Sequence, residues 1–241
     1  MRCSQDMQIV IDLGLAPDVY YKCDASLPSP ATHMLDSVTA RDLIRETGNV
    51  PYVAGGKYGN AVRLTYPPDF YTTYTGDDPW WVLGSAVGFS VCLWVRTKAG
   101  SVSLKIQGTT FTAFDINWTI QVNNNGAAFD IITGYGPTTS RTLGQNIGGS
   151  AIGDGNWHMV ICTYNAVTGC MAVRIDYLPA DEEIPAQPPL VWNSHNGLYV
   201  YSAVLNTQNL QIDEFSIYKE KVLTNAEMDY LWNSGAGRTW P

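Results

Sequence analysis

The sequence predicts an all-β sandwich of two antiparallel sheets with one short C-terminal helix, and three observations carry that expectation. Short β-branched and aromatic runs recur along the chain, separated by clusters of glycine, proline, asparagine and aspartate, as strands joined by tight turns require. No helical pattern intervenes between them, which excludes the alternating strand and helix order of parallel-sheet proteins. The composition agrees: 241 residues that are 45% hydrophobic, 12% aromatic and only 15% charged describe a globule able to bury a two-layer core, unlike a disordered chain or coiled coil.

Residues 1–17 precede the first convincing strand and read as an arm, with the domain proper over 18–241. The arm is apolar over residues 9–15, so it is expected to pack on its own domain or on a neighbour. Residues 36–46 carry too few apolar positions to fix a helical face and read as loop with a short turn. Strands are expected over residues 87–96, 101–106, 117–122, 157–164, 171–177, 197–204 and 210–218. The clearest unit is the hairpin over residues 157–177, whose turn Asn165-Ala166-Val167-Thr168-Gly169 ends on a glycine free to take the left-handed conformation. Four prolines and three carboxylates mark residues 179–189 as an exposed loop. At the C-terminal end, Thr224 suits an N-cap, Glu227 completes a capping box, and Leu223 against Met228 forms a hydrophobic staple. A short helix is expected over residues 225–233, with Gly235 placed to stop it.

Charge and cysteine usage narrow the function. Lysine plus arginine number 14 and aspartate plus glutamate 22, a net charge of −8, so nucleic acid is not an expected partner. Asp12 interrupts the apolar stretch near the N-terminus and no basic region precedes it, so neither a signal peptide nor membrane insertion is expected. The sequon Asn117-Trp118-Thr119 is discounted on the same ground. The five cysteines, Cys3, Cys23, Cys92, Cys162 and Cys170, form an odd set without CxxC spacing, which argues against a zinc site and a secreted disulfide framework. They read as mostly buried thiols. Cys162 and Cys170 flank the hairpin turn, and a reducing compartment disfavours a disulfide between them.

Several motifs stand in a fixed order. Val19-Tyr20-Tyr21-Lys22 is followed by Leu35-Asp36-Ser37 and by Gly55-Gly56-Lys57-Tyr58-Gly59-Asn60-Ala61. Next come Phe89-Ser90-Val91-Cys92-Leu93-Trp94-Val95, Trp157-His158-Met159-Val160, and Ile212-Asp213-Glu214-Phe215-Ser216-Ile217-Tyr218 with the helix after it. Together, over about residues 18–236, they resemble the LamG-like jelly roll of the concanavalin A-like lectin and glucanase class. The resemblance implies a concanavalin A-like sandwich and leaves function open, since this fold hosts lectins, glycosidases and structural modules.

Retaining glycosidases need two carboxylates on one face, about 5–5.5 Å apart. Asp213 and Glu214 are adjacent, and strand alternation places them on opposite faces; Glu182 and Glu183 fail likewise. His158 has no accompanying nucleophile motif and reads as structural. A structural calcium suits loop carboxylates, with Asp36 and Asp213 as candidate ligands if their elements meet. Sugar binding needs aromatic platforms beside polar groups. Tyr71, Tyr74, Trp80 and Trp81 form one aromatic-rich stretch, and Trp192, Tyr199 and Tyr201 a second. Two adjacent tryptophans on a strand cannot both face a core, so one of Trp80 and Trp81 is expected at the surface or an interface.

The expected function is therefore a non-enzymatic one. Domains that the motifs resemble occur in virion proteins of tailed phages, which implies a virion structural or decoration protein of head or tail, made in the host cytoplasm and released by lysis. The expected partners are further copies of the chain, other virion proteins and host-surface glycan. A cellular lectin-like protein is the alternative, and a glycoside hydrolase the third reading.

Overall fold

The computed structural model describes residues 15–23, 32–39, 41–45, 50–64, 70–72, 87–98, 103–109, 116–123, 126–132, 140–146, 152–183, 197–202 and 210–239. Over these residues the chain begins with β1 (Val19–Tyr21), β2 (His33–Met34), β3 (Leu43–Ile44), β4 (Tyr52–Ala54), β5 (Asn60–Arg63) and β6 (Phe70–Thr72). Longer strands follow: β7 (Gly88–Lys98), β8 (Ser103–Thr109), β9 (Ile116–Asn123), β10 (Gly126–Ile132), β11 (Ser140–Asn146) and β12 (Asp154–Asn165). The series closes with β13 (Met171–Ile175), β14 (Asp181–Glu183), β15 (Gly197–Ser202), β16 (Gln211–Lys219) and the helix α1 (Asn225–Trp232).

The strands form two eight-stranded sheets. The first runs β14-β13-β12-β7-β16-β5-β4, with β1 also paired to β16; the second runs β11-β10-β9-β8-β15-β6-β3-β2. Every pairing is antiparallel. Between the sheets lie Val91, Leu93 and Val95 of β7, Val160 and Cys162 of β12, and Ile212, Phe215 and Ile217 of β16. They meet Trp118, Ile120 and Val122 of β9, Phe129 of β10, and Leu198 and Val200 of β15. Phe89 anchors this layer, 5.4 Å from Trp118 and edge-on to Phe129 at 6.0 Å between ring centroids.

The first sheet is buried on its other face too. There Cys92, Trp94, Met159, Ile161 and Tyr218 are covered by Met228 and Leu231 of α1, with Leu15, Tyr20 and Leu223 filling the margin. Burial on both faces explains why β7 is an apolar run and not an alternating strand. The capping box of α1 forms as expected: Thr224 accepts from the Glu227 amide, and the Glu227 carboxylate accepts from the Thr224 amide at 2.8 Å. Asn233 ends the helix in the left-handed region with φ of 48°.

The hairpin also forms as read. Asn165 Oδ1 accepts from the Val167 and Thr168 amides, and Gly169 takes φ of +71°. Elsewhere the structure adds to the sequence reading. Asp181–Glu183 pairs with β13 inside the stretch read as an exposed loop, and Leu43–Ile44 is a strand inside the stretch read as loop and turn. Leu15, within the stretch read as an arm, is fully buried in one cluster with Met228 and Leu231 of α1; residues 1–14 lie outside the described residues. Cys23, Cys92 and Cys162 are buried as thiols and Cys170 is a half-buried one. Cys162 stands opposite Val173 in the hairpin, while Cys170 lies beyond the ladder's last pair, Tyr164 with Met171.

Candidate functional site

Register across the second sheet places one residue from each strand in a continuous row. From one edge to the other it reads Thr142, Asp130, Thr119, Gln107, Tyr199, Tyr71, Ile44 and His33. The next row, Leu143, Phe129, Ile120, Ile106, Val200 and Phe70, contains the buried Phe129, Ile120 and Val200 of the core. Positions alternate along a strand, so the first row falls at positions opposite to those of Phe129, Ile120 and Val200, and Thr119 there is itself buried. Tyr201 lies two residues along β15 on that same face, in register with Lys105, which in turn pairs with Gln121.

Of the seven aromatic residues singled out in the sequence, Tyr71 and Tyr199 are thus direct register partners, and Tyr201 is the next position on their face. Tyr74, Trp80, Trp81 and Trp192 lie outside the described residues. Sequence reading missed Thr142, Asp130 and Gln107, because β11 is too polar to announce itself as a strand, β10 and Gln107 fall outside the strands read, and cross-strand register is not a local signal. Alternation within residues 117–122 was the one clue to Thr119.

The candidate metal ligands are both buried and already engaged. Asp36 Oδ1 accepts from the Tyr20 and Val38 amides, and Oδ2 from the Thr39 and Arg41 amides, each at 3.0 Å. Asp213 Oδ2 accepts from the Tyr58 amide at 3.0 Å and Oδ1 from the Glu214 amide at 2.9 Å. Their elements do meet, through β1: the Tyr20 amide is bound to Asp36, and the Tyr20 hydroxyl donates to Glu214 Oε2. Among the described residues no three His, Cys, Asp or Glu side chains converge as a metal site.

Asp213 and Glu214 do not alternate across β16 as the sequence predicts. A β-bulge sets Glu214 and Phe215 together opposite Leu93, so alternation lapses there. Glu214 has φ of 51° and joins Asp213 on the side of Tyr20 and Trp94. Burial pushes the Glu214 carboxyl up to about 8. Both carboxyls are buried, which keeps them from a polymeric substrate.

His158 is held between two carboxylates, 2.7 Å from Asp176 through Nδ1 and 3.1 Å from Asp154 through Nε2. Burial pulls its pKa down, but the hydrogen bonds to Asp176 and then Asp154 outweigh burial and raise it. A cation donating from both ring nitrogens is the form this geometry favours.

No family model matches the sequence, and no curated protein matches it. Solved structures do match. The binding domain of Paraclostridial Mosquitocidal Protein 1 is similar at 15% identity and a TM-score of 0.67, over 87% of this chain and 51% of that one. The fold is a β-sandwich of two antiparallel sheets with one short C-terminal helix. The botulinum neurotoxin serotype D binding domain is similar at 13% identity and a TM-score of 0.66, over 91% of this chain and 52% of that one. The binding domain of botulinum neurotoxin DC, solved in complex with rat synaptotagmin II, is similar at 14% identity and a TM-score of 0.66, over 90% and 51%. The chain spans about half the length of these structures, and at such identities the likeness is one of fold.

Proposed function

We propose that this chain is a non-enzymatic binding module of a virion, a structural or decoration protein of phage head or tail that assembles with copies of itself and engages host-surface glycan. The observation that carries the binding role is the row from Asp130 through Thr119, Gln107 and Tyr199 to Tyr71. It places an aspartate, a threonine, a glutamine and two tyrosines at adjacent register positions of one sheet, residue types that recognise a sugar. The order of LamG-like motifs supports the virion setting. The similar structures are binding domains, one of them solved in complex with rat synaptotagmin II, which supports a binding partner over a turnover substrate.

The test is a glycan array on the purified chain, paired with its mass by light scattering with and without calcium. A trimer or larger assembly whose glycan signal is lost in Tyr199→Ala supports the reading. A monomer with calcium-dependent glycan binding supports the cellular lectin alternative, and release of reducing ends from any arrayed glycan overturns the non-enzymatic role.

A further inference from the structure

On the outer face of the first sheet, the cover provided by α1 ends at Trp94, whose ring stacks on Trp232 at 5.4 Å. One row further along, Arg63 of β5, Gln211 of β16, Arg96 of β7 and Trp157 of β12 are consecutive register partners. All four are half-buried. Arg96 donates from Nε at 3.0 Å, and from Nη2, to Gln211 Oε1, and its guanidinium carbon lies 4.9 Å from the centre of the Trp157 ring. Arg63 Nε is buried without a hydrogen-bond partner. Among the described residues, ion pairs form at His158, Arg174 and Lys221 and none forms at Arg63 or Arg96. Lys98, exposed, continues the positive line along β7. Asp154, opposite Lys98 in the ladder, is engaged by Asn156 and His158.

Two partly desolvated guanidiniums that meet no counter-charge among the described residues are costly in the free protein, and more notable in a chain of net charge −8. A guanidinium laid on an aromatic ring presents a planar fork that matches an oxyanion, above all a carboxylate. The loop between β4 and β5 borders the pair, since Trp157 Nε1 donates to the Gly55 carbonyl at 3.3 Å and a Cβ added at Gly55 would lie 3.7 Å from Arg96 Nη2. We infer that the Arg63, Gln211, Arg96 and Trp157 row is a binding site for an acidic saccharide, its carboxylate held by the two guanidiniums and its ring lying beside Trp157. The site is on the other sheet from Tyr71 and Tyr199 and stands independently of that face.

Calorimetric titration of the whole chain with trigalacturonate, with neutral maltotriose and with a sulfated disaccharide tests the site. Trigalacturonate is expected to bind, more weakly as salt rises, while maltotriose does not. Arg96→Gln and Arg63→Gln should each weaken binding by about tenfold or more. Arg96→Lys should lose most of it too, since an ammonium keeps the charge without the fork. Tyr199→Ala should bind trigalacturonate as the parent does. Absence of trigalacturonate binding up to millimolar concentration, binding of the sulfated sugar alone, or undiminished binding by folded Arg63→Gln overturns the inference.

Discussion

The Tyr20 hydroxyl donates to Glu214 Oε2 and so ties β1 to the bulge of β16. The contact sits where β16 changes neighbour, from β5 at Ile212 to β1 at Phe215. Backbone pairing lapses at that fork, and side chains take over: Asp213 holds the loop between β4 and β5 through the Tyr58 amide, and Glu214 holds β1 through Tyr20.

A carboxyl held neutral by burial makes stability depend on pH in a defined direction. Glu214 titrates near 8 in the folded chain against an ordinary value of 4.5, so the folded state retains a proton that the unfolded state gives up. Its contribution is fully present below pH 4.5 and is lost as pH rises to about 8. Glu214→Gln should therefore gain on the parent as pH is raised through that interval. Thermal melts from pH 4.5 to 9 read the difference, and parallel curves for the two proteins would sink the assignment.

His158 has the same sign through a different cause. Its pKa is raised from 6.5, with the bonds to Asp176 and Asp154 outweighing burial, so its stabilisation is complete below pH 6.5 and fades as pH rises through the folded value. His158→Asn should remove that decline while leaving the Glu214 component in place. The imidazole proton signals followed by NMR across this range give the direct check, and an unraised pKa refutes the pairing.

The α1 cap offers a local test. Thr224→Ala removes the acceptor for the Glu227 amide and should cost about 1 kcal/mol in urea denaturation, with Thr224→Ser close to the parent.

How far the sequence could be read follows from which signals are local. Thr224, Glu227 and Gly235 lie within one short segment, and Asn165 with Gly169 within one turn, so helix and hairpin were legible to a residue or two. The strand alternation of Trp118, Ile120 and Val122 was equally plain. The bulge at Glu214 was not, since it depends on Leu93 in a strand far away in sequence. The same holds for the meeting of Tyr71 with Tyr199 and of Arg63 with Gln211 and Arg96, which only sheet register creates. Asp36 and Asp213 show a further limit: the backbone amides of Tyr20 and Tyr58 that they bind lie far off in sequence, so no local signal pairs them.

The arm separates into two parts by truncation. Loss of assembly by light scattering on removal of residues 1–14, with an unchanged melting temperature, would assign docking to that segment. Removing residues 1–17 also takes Leu15, fully buried against the α1 cluster, and should destabilise the fold by about 2–5 kcal/mol, the range for emptying a core leucine site. Equal stability of the two truncations contradicts the packing of Leu15.

The loop between β4 and β5 joins the fork to the end of α1. Lys57 donates to the Gly235 carbonyl while its ammonium stands 3.9 Å over the Trp94 ring, and the Tyr58 hydroxyl donates to the Ala236 carbonyl. Gly56 makes this loop possible for a steric reason, because a Cβ there would lie 2.1 Å from the Asn60 carbonyl oxygen and 2.8 Å from Asp213 Oδ2. Neither the backbone nor a fully buried carboxylate can yield cheaply, so Gly56→Ala should cost about 1–3 kcal/mol or more. Because the loop carries Lys57 and Tyr58, the damage should spread to the C-terminal segment. Hydrogen exchange at the amides of residues 233–237 should quicken in Gly56→Ala, while the hairpin turn at residues 165–169 keeps its parent rate. Uniform quickening across both places would mean only global destabilisation, and no change at either would show that the loop absorbs the methyl group.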